Sequence, residues 1–145
     1  MKNINDVCII VQARLGSTRV PGKMLRPFVD TTLVDILLEK LKSSKVISKK
    51  NIYFSAYEEE LKEVAQKYDI NIFNRSEKSA FSEGDPLSEI YEWHNKLPYK
   101  YVVLISACNP LLTIETIDSF VESFINSDKE GGFAVFEKKT YYWDK

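Results

Sequence analysis

Apolar positions along the chain follow two spacings, one typical of buried strands and the other of amphipathic helices. Val7–Val11 is a continuous apolar run that predicts a fully buried strand. Further strand-like segments over residues 51–55, 70–73, 101–106 and 133–136 predict four more strands. The first strand and the last lie near opposite ends of the chain, so the predicted sheet uses most of its length.

Helical spacing separates these strands. Residues 33–41 form an apolar stripe behind Thr32, which with Asp35 makes a capping pair. A second stripe over residues 61–68 keeps the i, i+3, i+4, i+7 spacing. Two more helices are expected to open at Asp85-Pro86 and Thr113. Their inward positions are predicted to be Leu87, Ile90, Tyr91 and His94, and then Ile114, Ile117, Val121, Phe124 and Ile125.

Strands that alternate with helices of this length predict a mostly parallel sheet, because each crossover carries a helix onto one of its faces. The expected fold class is therefore α/β, a three-layer α/β/α sandwich. At 145 residues, with no internal repeat or linker, the chain is predicted to form a single domain over 1–145.

Composition excludes several functional classes. The formal net charge is −1 and the sequence pI is about 5.9, which argues against a nucleic-acid-binding domain. Apolar runs are too short to span a bilayer, and Met1–Asp6 lacks the apolar region of a signal peptide. We therefore expect a cytoplasmic protein with no membrane partner. Cys8 and Cys108 are predicted to be buried free thiols, and His94 a structural histidine on its helix stripe.

The richest chemistry follows the first strand. Residues 12–25 contain two glycines and a proline, and no acidic residue occurs between positions 7 and 29. Four cations lie at this strand exit: Arg14, Arg19, Lys23 and Arg26. Because a loop at the carboxyl end of a parallel strand commonly holds phosphates, the segment predicts a polyphosphate site.

Two familiar phosphate motifs do not match this loop. Five residues separate Gly16 from Gly22, where a P-loop has four, and Met24 stands where a hydroxyl would bind magnesium. The dinucleotide fingerprint G-x-G-x-x-G is absent as well. The alternative is an ordinary solvated turn, but four cations without a counter-charge disfavour it.

The segment from Gln12 to Leu25 resembles the opening motif of the cytidylyltransferase family, which includes acylneuraminate cytidylyltransferases, CMP-KDO synthetases and spore-coat polysaccharide proteins. The sequence of this segment most resembles the motif of the spore-coat-like branch. Arg75-Ser76, Leu87–Ile90 and Asn109–Leu111 resemble later landmarks of the family in order and spacing. The resemblance implies a nucleotide-diphospho-sugar transferase (Rossmann-like) fold. Since family members are usually longer, we expect this chain to be an N-terminal nucleotide-binding portion.

The resemblance implies a bacterial enzyme of surface polysaccharide or glycoconjugate biosynthesis. It would transfer CMP from CTP to a sugar or sugar acid, with release of pyrophosphate. By family analogy Arg14 and Lys23 are catalytic and contact the phosphates. The expected nucleotide-binding set is Ala13, Arg14, Gly16, Ser17, Arg19, Lys23 and Arg75, with the Ala13 backbone beside the cytosine and backbone N–H groups at Gly16 and Ser17.

Mg²⁺ is the cofactor that the resemblance implies, but its ligands stay unassigned. Spore-coat-like and KDO-type relatives carry an aspartate just before the Pro-Leu landmark, whereas the segment 106–111 has no carboxylate here. Sialate-type relatives also lack this acid and place metal-binding aspartates later.

Two alternatives to an enzyme remain open. One is a nucleotide-binding module without metal and sugar sites. The other is an interaction domain that uses Tyr141, Tyr142 and Trp143 as a contact surface. If the sheet is incomplete, apolar surface near residues 133–143 should support a homodimer.

Overall fold

Four strands form one parallel sheet in the order β3-β2-β1-β4. The computed structural model describes residues 2–81, 86–135 and 137. The strands are β1 (Val7–Gln12), β2 (Ile52–Ala56), β3 (Asn71–Asn74) and β4 (Tyr101–Ser106). Ile9 of β1 is paired with Ile52 on one side and Val103 on the other, so β1 is a central strand. The predicted parallel α/β sheet is confirmed.

The longer helices share one face of the sheet. They are α1 (Leu33–Lys42), α2 (Glu59–Lys67) and α5 (Ile114–Asn126). Their buried residues join Val7, Ile9 and Val11 in a single core cluster, which includes Leu38, Leu61 and Val121. Burial of a side chain of this size contributes about 1.5–3 kcal/mol, so this layer supplies most of the hydrophobic stabilisation.

The predicted helix starts at Thr32 and Thr113 are confirmed. The Thr32 side chain accepts a hydrogen bond from Asp35 N, and the Thr113 side chain accepts one from Thr116 N. Each bond satisfies an N–H group that the first helical turn leaves without a partner. Burial of Ile117 and Val121 likewise confirms the inward face of α5.

The opposite face is covered by short pieces of helix. These are α3 (Glu77–Phe81), α4 (Leu87–Ile90) and a 3₁₀ turn over Glu92–Asn95. A small buried cluster of Ile10, Phe73 and Trp93 packs the 3₁₀ turn against the sheet on this face. The two layers of helix around the sheet give the predicted three-layer arrangement.

The helix predicted to open at Asp85-Pro86 is wrong in its extent and its stripe. Asp85 lies outside the described residues, α4 ends at Ile90, and Leu87 is 68% exposed. Because the chain continues as a 3₁₀ turn, whose side chains repeat every three residues, the buried residue is Trp93 rather than His94, which is exposed.

Two further expectations near the end of the described chain are corrected. Residues 133–135 carry no strand and are exposed, while Phe136 of the predicted strand lies outside the described residues. Cys108 is exposed in the loop after β4, whereas Cys8 is buried as predicted, and both thiols are free. The tail residues Tyr141, Tyr142 and Trp143 also lie outside the described residues.

Candidate functional site

A cavity of about 430 Å³, with two arginines in a largely apolar lining, opens where β1 and β4 end. Parallel strands place their carboxyl ends on one edge of the sheet, and β1 is flanked there by a strand on each side. The cavity is lined by Gln12, Ala13, Arg14, Arg75, Ile90, Tyr91, Leu104, Ile105 and Ser106. Of the residues predicted to bind nucleotide, the structure brings Ala13, Arg14 and Arg75 together here.

Arg75 is held rigidly although it lies in a loop. Its backbone N–H donates to Ala56 O at 3.0 Å, which ties the residue to the end of β2. Its side chain is only 6% exposed, and Nε donates to Ser79 Oγ at 2.9 Å while Nη2 donates to Ser79 O at 2.5 Å. This fork fixes the guanidinium plane and leaves the other N–H groups of Arg75, which lines the cavity, without a hydrogen-bond partner among the described residues.

Arg14 approaches the same short helix from β1. Its Nη1 donates to Ala80 O at 3.1 Å, and the side chain is half-buried. Burial and then the neighbouring charge of Arg14 lower the pKa of Arg75, while Glu58 and Glu92 act in the opposite direction. The two guanidinium groups lie on one cavity wall and therefore repel each other. An anion bound to both would reduce this repulsion.

Close ion pairs are absent around these cations in the described residues. Within the described residues, none of Arg14, Arg19, Lys23, Arg26 and Arg75 makes an ion pair closer than 4.0 Å. The carboxylates of Glu58 and Glu92 act on Arg75 through their charge without forming such an ion pair. A bound polyanion would supply a close counter-charge.

The far wall of the cavity is anchored on Gln12. Its Nε2 donates to Ile90 O at 3.1 Å, and its Oε1 accepts from Trp93 Nε1 at 2.9 Å. Ser79 Oγ donates to the same Ile90 carbonyl at 3.0 Å. The network holds Ile90 and Tyr91 against the sheet, so this wall has a fixed shape.

The cationic loop after Ala13 closes on one residue, Leu15. Its carbonyl accepts from Ser17 N at 2.8 Å and from Gly22 N at 3.3 Å, and its own N–H donates to Glu58 Oε1 at 2.8 Å. The N–H of Ser17 is therefore already engaged, whereas the N–H of Gly16 has no hydrogen-bond partner in the described chain. Gly16 lies against Phe81, where an added Cβ would be 3.4 Å from Cε1.

The other predicted site residues lie on this loop outside the cavity lining. Arg19 is exposed and Lys23 is half-buried, and neither side chain has a hydrogen-bond partner among the described residues. Ser17 Oγ accepts from Val20 N at 3.4 Å. The loop thus carries free cations next to the cavity rather than inside it.

A protein-held metal site does not appear in the described part of the chain. No group of three or more His, Cys, Asp and Glu side chains lies together there. Ser106 and Asn109, at the end of β4, supply only neutral oxygens, and hard cations such as Mg²⁺ prefer carboxylates. These residues do not fit a complete magnesium site.

A second cavity, of about 470 Å³, follows β4, the edge strand of the described sheet. Its lining includes Val102, Leu112, Phe120 and Phe133, and no charged residue is among the lining side chains. It does not suit an anionic ligand. The described helices include none long and apolar enough to cross a membrane.

The site and the fold agree with the comparison to known families. The family model described as "Cytidylyltransferase" matches residues 8–144, so the chain belongs to the cytidylyltransferase family. The match begins at Cys8 in β1 and includes the cationic loop and the strands β2, β3 and β4.

Individual relatives bear out this assignment. The chain is 26% identical over 133 residues to the spore coat polysaccharide biosynthesis protein SpsF of Bacillus subtilis, covering 88% of this chain and 53% of SpsF. It is 31% identical over 144 residues to the pseudaminic acid cytidylyltransferase of Campylobacter jejuni, covering 94% and 59%. A solved cytidylyltransferase of Leptospira borgpetersenii is similar with a TM-score of 0.69 and 29% identity, covering 85% and 50%. The nucleotide-sugar transferase fold is confirmed, and the chain spans about half the length of these relatives.

Sequence reasoning did not single out three residues that shape this site. Gln12 is the last residue of β1, and Glu58 follows the end of the neighbouring strand β2. Tyr91 lies in a turn and lines the cavity. The rule that ligands bind at this edge could have indicated Gln12 and Glu58. Tyr91 could not be found in this way, because its position depends on where α4 ends.

Proposed function

We propose that this chain binds CTP and contributes the nucleotide half of a CMP-sugar synthetase. The sugar hydroxyl would attack the α-phosphorus of CTP, forming a new P–O bond as the bond to the β-phosphate breaks. Pyrophosphate leaves with the bonding electron pair, the hydroxyl proton passes to solvent, and a CMP-sugar is formed. The observation that carries the proposal is the pair of carbonyl-anchored guanidinium groups, Arg14 and Arg75, on the wall of one cavity.

The proposed residue roles follow from position and charge. Arg14 and Arg75 would bind phosphate oxygens, because fixed cations in a partly buried site stabilise developing negative charge without rearrangement. Lys23 would come from the loop to the leaving pyrophosphate, with Arg19 at the outer phosphates. The N–H of Gly16 would donate to a phosphate oxygen, and the hydroxyl of Ser17 offers a further donor.

The base would lie against the other end of the cavity. Ala13 is buried at the end of β1, and its N–H donates to Ser55 O at 3.1 Å, so its backbone is fixed beside the cavity. Tyr91 and Ile90 provide the neighbouring apolar surface. Support for cytosine over other bases comes from the family.

Mg²⁺ is the divalent cation that we propose for the reaction, entering with the triphosphate whose oxygens it prefers. Since the described residues lack a carboxylate set, no protein ligand is assigned. The acceptor would be a sugar or sugar acid for surface polysaccharide or glycoconjugate synthesis, and the reaction would run in the cytoplasm. No nucleic-acid or membrane partner is proposed, and a homodimer remains part of the proposal.

Pyrophosphate release tests this function. The chain is incubated with CTP, Mg²⁺ and a panel of nine-carbon and eight-carbon sugar acids, with ATP and GTP as nucleotide controls. Release that requires both CTP and one acceptor supports the proposal. CTP binding without turnover favours a nucleotide-binding module, and the absence of any nucleotide binding favours an interaction domain.

A further inference from the structure

The backbone of Leu15 is the point at which the cationic loop closes. Ser17 N and Gly22 N both donate to its carbonyl, so the two ends of the loop meet there. The other backbone hydrogen-bonding group of Leu15 is its N–H, which donates to Glu58 Oε1 at 2.8 Å. Movement of Leu15 would therefore displace both ends of the loop together.

Glu58 reaches this amide from a different element of the fold. It occupies the N-cap position of α2, but its side chain makes no hydrogen bond to that helix. Glutamate is not among the residues preferred at an N-cap, and here the carboxylate binds a residue 43 positions away instead of its own helix.

The second carboxylate oxygen marks the position as unusual. Glu58 Oε2 is buried and has no hydrogen-bond partner among the described residues. Leaving such an oxygen unsatisfied costs free energy unless a nearby charge compensates for it. The Arg75 guanidinium is a cation that interacts with Glu58, because the charge of Glu58 raises the pKa of Arg75 against the effect of burial.

We propose that Glu58 is a positioning residue of the nucleotide site. Its carboxylate fixes Leu15 and thereby holds the loop with the backbone N–H groups of Gly16, Thr18 and Arg19 free of hydrogen bonds to the described residues, ready for phosphate oxygens. Glu58 does not line the cavity and takes no part in the bond-making step. This inference rests on the proposed function, since it takes the loop to hold the triphosphate.

Amide hydrogen exchange and CTP calorimetry on the whole chain test this role in two variants. Glu58→Ala removes the acceptor, and Glu58→Gln keeps an oxygen for Leu15 but removes the charge. Glu60→Gln is the matched control, because Glu60 is exposed in the same helix turn and makes no ion pair in the described chain. Sheet amides of Ile9 and Val11 report whether each variant is folded.

In Glu58→Ala we expect exchange at Leu15, Ser17 and Gly22 to rise about tenfold or more, with the sheet amides unchanged. The Kd for CTP should rise by a similar factor, with partial recovery in Glu58→Gln and no change in Glu60→Gln. If Glu58→Ala does not fold, Glu58→Gln decides, with a smaller rise expected in both quantities.

Unchanged loop exchange in a folded variant overturns the proposal, and so does faster exchange with an unchanged Kd for CTP. A wild-type chain that does not bind CTP contradicts the proposed function instead. The exchange of the Leu15 amide would still show in that case whether Glu58 holds the loop, so the two failures are distinguishable.

Discussion

Arg14 and Arg75 are held by the carbonyl oxygens of two consecutive residues. Arg14 Nη1 donates to Ala80 O at 3.1 Å, and Arg75 Nη2 donates to Ser79 O at 2.5 Å. The last turn of α3 therefore sets the spacing of two positive charges that come from different strands. Since cations are favoured beside helix carboxyl ends, α3 offsets part of their mutual repulsion.

Arg75→Lys tests whether the guanidinium fork matters beyond its charge. An ammonium group cannot reproduce the two simultaneous bonds to Ser79, so we expect a loss of about 1–3 kcal/mol of stability and weaker CTP binding. Urea unfolding and calorimetry measure the two effects. Lys45→Arg, the reverse exchange at an exposed side chain that makes no ion pair in the described chain, is the control. Equal CTP affinity in wild type and Arg75→Lys would show that the guanidinium of Arg75 supports the fold but is not needed for CTP binding.

Lys23→Ala tests the contribution of the loop cations. Lys23 has no ion pair among the described residues, so its removal should leave the fold intact. A lost ionic donor to the triphosphate weakens binding by about 1.5–3 kcal/mol. Isothermal titration with CTP measures the change, and Lys45→Ala serves as the control on an exposed connection. An unaltered affinity in a folded Lys23→Ala variant would remove Lys23 from the site.

Gly22→Ala tests the closure of the loop. Gly22 has a φ of 64°, in the left-handed region, and its N–H donates to Leu15 O. Alanine in that conformation costs about 1–2 kcal/mol, so thermal unfolding should shift down and CTP binding should weaken. Gly131→Ala is the control, because its backbone is not in this region and an added Cβ meets nothing within 4 Å. Identical behaviour of the two variants would mean that the turn at Gly22 is not required.

Alkaline pH tests the contact between α1 and α2. Burial first, and then the hydrogen bond to Asp35, raise the pKa of Tyr68 from 10.0 to about 12. The folded protein therefore holds this proton more tightly than the unfolded chain, and the stabilisation is present below pH 10 and is lost as the pH rises toward 12. Tyr68→Phe should destabilise the protein by about 1 kcal/mol at neutral pH, with the difference shrinking at alkaline pH. Urea unfolding of both proteins across this range checks it, and a difference that is constant with pH would contradict the assignment.

The elements that rest on long apolar runs could be predicted from the sequence. β1, β4, α1 and α5 each have either a continuous β-branched run or a full helical stripe, together with a capping threonine for the two helices. For these elements local preference and tertiary burial agree, and the structure follows both.

The segment from Pro86 to Asn95 could not be predicted because its packing is decided by long-range contacts. Trp93 is buried through its bond to Gln12, 81 residues away, and this contact overrides the helical spacing that favoured His94. The same reason applies to Glu58, because its hydrogen bond to Leu15 spans 43 positions and no local sequence pattern predicts it. Arg75 was predicted as a site residue from the family motif alone, and its place beside Arg14 depends on α3.

Calorimetric titration of the chain with CTP, CMP and cytidine measures the central claim most directly. The account predicts that CTP binds far more tightly than cytidine, with CMP between them, and that Arg14→Ala removes most of the difference because it deletes one of the two anchored cations. Equal affinities for CTP and cytidine, or a CTP affinity that Arg14→Ala leaves unchanged, would contradict it.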